Sequence, residues 1–177
     1  LADCLLPLID GNQQRGIERI ENEIIPILHT FKTKRARKFA QKFGINDYQD
    51  QDESLVLEFL SYLERESLDF TQSFRNLPSL FEGDFKYYNK NHQLEEFIEK
   101  WKNRVSTVHH LNQVNPLYIP RNHQIQKAID DIYDGDKTHF DLMNKALQKP
   151  FEEQGEMTEL ALPPRKEEII HKTFCGT

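Results

Sequence analysis

Residues 115–136 restrict the fold of this chain more than any other stretch. The segment begins with Pro116 and Pro120, which lack a backbone N–H donor and favour extended geometry in the residue before them. Its second part has apolar residues at helical spacing and then a glycine: Ile125, Ala128, Ile129, Ile132 and Gly135. The segment therefore predicts a rigid, non-regular turn that leads into a compact helix.

The other segments also predict helices. Apolar residues recur every three or four positions over 14–43, and Pro26 lies in the middle, so we expect a long helix that is kinked or divided there. Gly44 followed by Ile45 indicates a helix end of the Schellman type. Further helices are expected over 2–9, 54–66, 69–77, 93–108 and after Asp136. No stretch alternates apolar and polar residues as a strand does, so the predicted fold class is all-α.

The length of 177 residues fits one domain or a large part of one. We expect a helical domain over 1–149 and an extended surface tail over 150–177, because the tail has no helical period and contains Pro163 and Pro164. The first residue is not methionine, so we expect the chain to start inside a longer protein. No apolar run approaches the ~20 residues of a membrane span, and no membrane partner is expected.

Charge argues against a nucleic-acid partner, because the formal net charge is -6 and such proteins normally carry a basic excess. One stretch is locally basic and contains no acidic residue. Its cations are Lys32, Lys34, Arg35, Arg37, Lys38 and Lys42. A phosphate-binding patch is one interpretation, but we favour a solvated helix face whose cations complement the helix C-terminal dipole.

Residues for catalysis or metal binding do not stand out. His109 and His110 are adjacent, and neighbours on a helix point about 100° apart, so they chelate poorly. Transfer of a phosphoryl or nucleotidyl group needs a phosphate-binding cation, metal-holding carboxylates and a base in one cleft. The sequence displays no such set and no glycine-rich phosphate loop, so we assign no catalytic, cofactor-binding or metal-binding residue.

A few polar residues are structural candidates. Asp69 is predicted to cap a helix, with Gln72 answering it three positions later. In that helix Thr71 and Arg75 share one side, and we favour a structural arginine in a core helix. Arg121 is interpreted in the same way, since a guanidinium beside a proline turn more often satisfies buried carbonyls than it binds a ligand. Asn115 and Asn122 bracket this turn and complete the set.

The two cysteines, Cys4 and Cys175, lie at opposite ends of the chain, which excludes a disulfide framework and suits a reducing compartment. Cys175 is near the end of the predicted tail. A reactive or disulfide-forming thiol and an incidental terminal cysteine are equally compatible with its position.

Several motifs together resemble the C-terminal region of the selenoprotein O (SelO) family. They include LLPLI near the start, DFTQSFRNL over 69–77, NPLYIPRN over 115–122, KPF over 149–151, the prolines at 163–164 and the near-terminal cysteine. The order and spacing of these motifs agree with the family. The match departs over 157–162 and after Cys175, where Gly176 and Thr177 replace the more usual pair of serines.

Members of this family are kinase-like proteins that transfer AMP from ATP to protein side chains. The resemblance implies that this chain forms late C-lobe helices and a C-terminal extension of a kinase-like fold. It further implies that ATP, Mg²⁺ (or Mn²⁺) and every catalytic residue lie upstream of Leu1, and that the fragment alone is inactive. The implied partners are the upstream kinase-like part and protein substrates. Cys175 would have a redox role and could pair with an upstream cysteine, which Cys4 does not match.

The family resemblance also implies a cytoplasmic location for a bacterial protein and a mitochondrial one for a eukaryotic protein. An autonomous helical interaction module without catalysis is the alternative. An upstream kinase-like region in the reading frame would favour the SelO interpretation. A start codon just before Leu1, together with a stable monomeric fold, would favour the module.

Overall fold

A computed structural model describes residues 2–105 and 107–170. Within these ranges the chain is helical and contains no strand, which confirms the predicted all-α class. The α-helices are α1 (Ala2–Ile9), α2 (Gln13–Lys42), α3 (Asp52–Arg65), α4 (Phe70–Arg75), α5 (Leu77–Phe81), α6 (His92–Lys102), α7 (Leu111–Val114), α8 (Asn122–Tyr133) and α9 (Thr138–Gln148). Two 3-10 helices follow, over Gly155–Ala161 and Lys166–Glu168. No helix in the described part is both long and apolar enough to cross a bilayer.

Helix α2 spans 30 residues without interruption, so the helix is not divided at Pro26. A proline inside a helix removes one backbone hydrogen bond, and Pro26 lies on an exposed stretch where water can solvate the carbonyl left without a donor. Helix α1 folds back on the first half of α2, where Gly16 permits close approach. A Cβ at Gly16 would lie 3.2 Å from Leu6 Cδ2. We call α1 together with residues 13–35 of α2 the α1–α2 hairpin.

The larger hydrophobic cluster lies between the end of α2 and α7. Phe43 is at its centre, with ring contacts to Phe59, Phe74, Phe97 and Trp101. The indole Nε1 of Trp101 donates a hydrogen bond of 2.8 Å to the Phe43 carbonyl. These contacts anchor the end of α2 in the fold.

Helix α2 ends as predicted. Gly44 has a φ of 80°, and the Ile45 N–H donates to the Ala40 carbonyl at 2.9 Å. The Gly44 N–H donates to the Gln41 carbonyl at 3.0 Å, which completes the Schellman arrangement. The chain can therefore turn sharply within the core.

A smaller cluster lies between the proline turn, α8, α9 and the segment that follows. Its buried members are Tyr118, Ala128, Met143, Ala146, Met157, Leu160 and Ala161. The expectation of an extended surface tail is therefore wrong for 155–161, which coils into a 3-10 helix and buries three side chains. The segment has too few apolar residues to show a helical period in the sequence. Its apolar side chains are buried because the segment packs against α9. The division of the chain at residue 149 stays a prediction.

One other boundary differs from expectation. Helix α6 ends at Lys102 rather than near residue 108, although Val105 is buried as predicted. Helix α8 begins directly after the proline turn, as expected, and its exit glycine Gly135 has a φ of 89°. Of the apolar residues at helical spacing on α8, only Ala128 is buried.

Candidate functional site

The seam between the two clusters is held by polar side chains, and its strongest contact joins Asp69 to Arg121. Both terminal nitrogens of Arg121 donate to the carboxylate, each at 2.8 Å. The arginine side chain is 5% exposed and the aspartate 19%. The same carboxylate accepts the Gln72 N–H at 2.8 Å, which confirms Asp69 as the N-cap of α4.

Gln72 does not complete the predicted capping box. Its side-chain amide donates instead to the Ala161 carbonyl, at 2.8 Å. The 3-10 helix over Gly155–Ala161 supplies an acceptor that the sequence spacing could not reveal. Gln72 therefore ties α4 to the segment after α9.

Arg75, the last residue of α4, is half-buried and lies against three backbone carbonyls. Its Nη1 donates to Asn112, Asn115 and Phe151 at 2.9, 3.2 and 3.2 Å. Its Nη2 lies 3.8 Å from a carboxylate oxygen of Glu153. These acceptors belong to three different segments, so Arg75 joins α7, the proline turn and the start of the last segment, in agreement with the predicted structural role.

Asn115 is fully buried and makes two hydrogen bonds with Lys42. Its side-chain Nδ2 donates to the Lys42 carbonyl at 2.9 Å, and the Lys42 ammonium donates to Asn115 Oδ1 at 3.2 Å. The same ammonium lies 5.2 Å from the centre of the Phe74 ring. Lys42 therefore belongs to the seam. The sequence pattern instead groups it with the exposed cations of α2.

The charges of the seam are set by burial and pairing together. Burial alone would raise the pKa of Asp69, but hydrogen bonds from Arg121 and from the Gln72 N–H outweigh it and hold that pKa below its ordinary value. Burial lowers the pKa of Lys42 and that of Arg75. Arg121 Nε is buried and has no acceptor within the described ranges.

The remaining sequence candidates fall outside this network. Thr71 is buried on α4, beside the Phe70–Phe74 ring pair, whose centroids are 4.7 Å apart. Asn122 opens α8 and is exposed. Cys175 lies outside the described residues, so its predicted redox role stays a prediction.

A second buried ion pair was missed from the sequence. The Asp52 carboxylate accepts from Arg104 Nε and Nη2 at 2.7 and 3.0 Å, and from the Gln49 N–H at 2.8 Å. Asp52 is 1% exposed although it lies in a stretch rich in acidic residues. Nothing in the local pattern identifies its partner, which is 52 positions away.

The described residues do not fit a nucleotide–metal site. No group of three or more His, Cys, Asp or Glu side chains in ranges 2–105 and 107–170 is arranged to hold a metal ion. His123 and His139, on α8 and α9, have pKa values lowered by burial, and His139 Nε2 is buried without a partner in the described part. In the seam, Arg75 and the terminal nitrogens of Arg121 are occupied by protein acceptors. This arrangement defines a helical scaffold held by buried arginines.

Comparison with known proteins identifies the family. A family model described as "Protein adenylyltransferase SelO" matches residues 1–150. The chain is 29% identical to Protein nucleotidyltransferase YdiU of Bradyrhizobium diazoefficiens, over 100% of this chain and 39% of that protein. It is 32% identical to the protein of the same name from Rhodopseudomonas palustris, with the same two coverages. It is 30% identical to the protein of the same name from Maridesulfovibrio salexigens, over 100% of this chain and 38% of that protein.

The chain belongs to the SelO family, as its motifs indicated. It spans about 39% of the length of the relatives that it matches. The family match includes α1–α9 and every residue of the seam except Phe151, Glu153 and Ala161. Residues 151–177 lie beyond the family match, although the relatives align over the whole chain.

Proposed function

We propose that this chain is the C-terminal, non-catalytic part of a SelO-type protein that transfers AMP from ATP to Ser, Thr or Tyr side chains of other proteins. The observation that carries the proposal is a family match over residues 1–150 in a chain that spans about 39% of its relatives. In this proposal ATP and Mg²⁺ or Mn²⁺ bind to the kinase-like part upstream of Leu1, and the relatives' bacterial origin supports a cytoplasmic location.

The buried seam supports a structural role for this region. Arg75, Arg121 and Asn115 each bond to a segment distant in the chain, and together they hold α4, α7 and α8 in a fixed arrangement. A rigid helical unit of this kind can support an adjoining nucleotide-binding part. Cys175 would then modulate that part by pairing with an upstream cysteine.

The test uses ATP labelled on the α-phosphate and, in parallel, on the γ-phosphate. Both are given with Mg²⁺ or Mn²⁺ to this chain and to the full-length protein that contains it. The expected result is protein-bound α label without γ label, in the full-length protein only. Label from the γ-phosphate alone would make the protein a kinase. An absence of label in both samples would contradict AMP transfer and leave a helical interaction module.

A further inference from the structure

The α1–α2 hairpin presents an apolar face that no described residue covers. Ile20, Ile24, Ile27 and Phe31 follow one another at spacings of four and three along α2, so they share one side of the helix. Ile27 and Phe31 are 64% and 63% exposed, and Leu8 on α1 is 83% exposed. Scattered apolar residues are ordinary on a surface, but an ordered stripe of large ones marks a contact surface.

The stripe forms the floor of two adjoining grooves. One is a shallow, open groove along Pro26, Ile27 and Phe31, and all of its lining residues belong to α2. The other, of about 680 Å³, lies between α1 and α2 and is lined by Leu5, Ile20 and Ile24. Glu23 borders both grooves, so the two grooves adjoin along the hairpin.

Pro26 removes one backbone hydrogen bond from this part of α2. In a regular helix the residue at position 26 would donate to the carbonyl of Asn22, and proline has no N–H to give. Asn22 itself lines the second groove.

The basic end of the hairpin gives this surface a charged rim. Lys34, Arg35 and Lys38 border the first groove. Within the described ranges Arg35 lies 3.8 Å from Glu53, whereas Lys34 and Lys38 have no carboxylate within ion-pair distance. A covering surface with an apolar centre and acidic residues at one edge would match the hairpin in both respects.

The length of the relatives indicates what covers this face. The family match begins at residue 1, so the hairpin is part of the family's fold, and the relatives carry more than half of their length outside the region aligned with this chain. The rest of the described fold has its own buried clusters, whereas over 17–35 α2 has no fully buried residue. If a second copy of this chain covered the stripe, the remaining part of each relative would have no role in burying it.

We propose that the α1–α2 hairpin is the docking surface for the remaining, kinase-like part of the same protein. Ile27 and Phe31 make the apolar contact, and Lys34 and Lys38 face acidic residues of that part. The proposal rests on the proposed function for the existence of the adjoining part, and it names the surface through which this region supports it.

The test measures the accessibility of single cysteines in the full-length protein. Ile27→Cys and Phe31→Cys probe the stripe, and Lys86→Cys is the control, because that side chain is 90% exposed. Each variant reacts with a maleimide under native conditions and in urea, and peptide mapping by mass spectrometry gives the rate at each site. At each position the native labelling rate is divided by the rate in urea. The resulting ratios at positions 27 and 31 are expected to be at least about tenfold below the ratio at position 86.

Three outcomes would overturn the proposal. The first is equal normalised rates at positions 27, 31 and 86. The second is protection that disappears on dilution over about a hundredfold range, which would indicate a second copy. The third is a reading frame with no chain beyond these 177 residues. Leu8→Cys serves as a further probe if a variant on α2 fails to fold.

Labelling with α-³²P ATP in the same preparations separates this inference from the proposed activity. Protected cysteines without AMP transfer would support docking and contradict the proposed function. AMP transfer with fully reactive cysteines would support the function and contradict docking.

Discussion

Arg121 and Asp69 are 52 positions apart in the sequence and are joined by two hydrogen bonds of 2.8 Å. Asp69 caps the start of α4, and Arg121 is the residue before α8. The pair therefore fixes the entrance of one helix against the entrance of another, and it does so at the seam between the two hydrophobic clusters.

Replacement of Arg121 by alanine should strongly destabilise the fold, because it leaves the half-buried Asp69 carboxylate without its partner. The expected loss is about 3 kcal/mol in the free energy of unfolding. Urea unfolding followed by the fluorescence of Trp101, the single tryptophan of this chain, measures it. Arg165→Ala is the matched control, since the Arg165–Glu168 pair is on the surface, and little change is expected there. Equal effects of the two substitutions would contradict a structural role for the buried pair.

Asp52 should make stability depend on pH in the acid range. The side-chain hydrogen bond from Arg104 is the main cause that holds the pKa of Asp52 below its ordinary 3.8, against the opposing effect of burial. A carboxyl whose pKa is lower in the folded state adds stability above its unfolded pKa, and this contribution is lost as pH falls through the folded pKa.

The comparison of Asp52 with Asp52→Asn tests this expectation. The unfolding free energy of the native chain should exceed that of the variant at pH 7, and the difference should shrink as the pH falls below 3.8. Urea unfolding at a series of pH values supplies both curves. Parallel curves over the whole acid range would show that the ion pair does not carry the pH dependence.

Gly44→Ala should cost more than Gly83→Ala. Both glycines have positive φ, 80° and 89°, where an L side chain costs about 1–2 kcal/mol. A Cβ at Gly44 would also lie 3.3 Å from Leu111 Cδ2 and from Val105 Cγ1, whereas a Cβ at Gly83 would meet no atom within 4 Å. The difference between the two unfolding free energies therefore isolates the packing contribution. A larger loss at Gly83 would contradict the close packing at the end of α2.

Phe43→Ala should destabilise the chain by about 3–5 kcal/mol, since it removes a buried ring at the centre of the larger cluster. Phe31→Ala, on α2 twelve residues earlier, removes a ring that is 63% exposed and should change the stability of this chain by less than about 0.5 kcal/mol. Both values come from the same unfolding measurement. A large loss from Phe31→Ala would mean that its ring is packed within this chain.

Much of the local structure was predictable because it depends on neighbouring residues. The proline turn, the start of α8 and the Schellman end at Gly44 follow from backbone constraints that act over a few positions. The capping role of Asp69 was predictable for the same reason, whereas the side chain of Gln72 was not, since its acceptor belongs to Ala161. Periodicity does not identify a family, whereas the sequence motifs indicated membership of the SelO family.

The sequence by itself determined the all-helical class, the end of α2 at Gly44 and the residues of the proline turn. Only the tertiary structure decided that Asp69 pairs with Arg121, that Lys42 bonds to Asn115, and that none of the described residues covers the stripe on α2. The physical reason is the range of the interactions. Propensity, capping and turn geometry act within one or two helical turns, whereas burial and ion pairing join segments whose meeting depends on how all the helices pack.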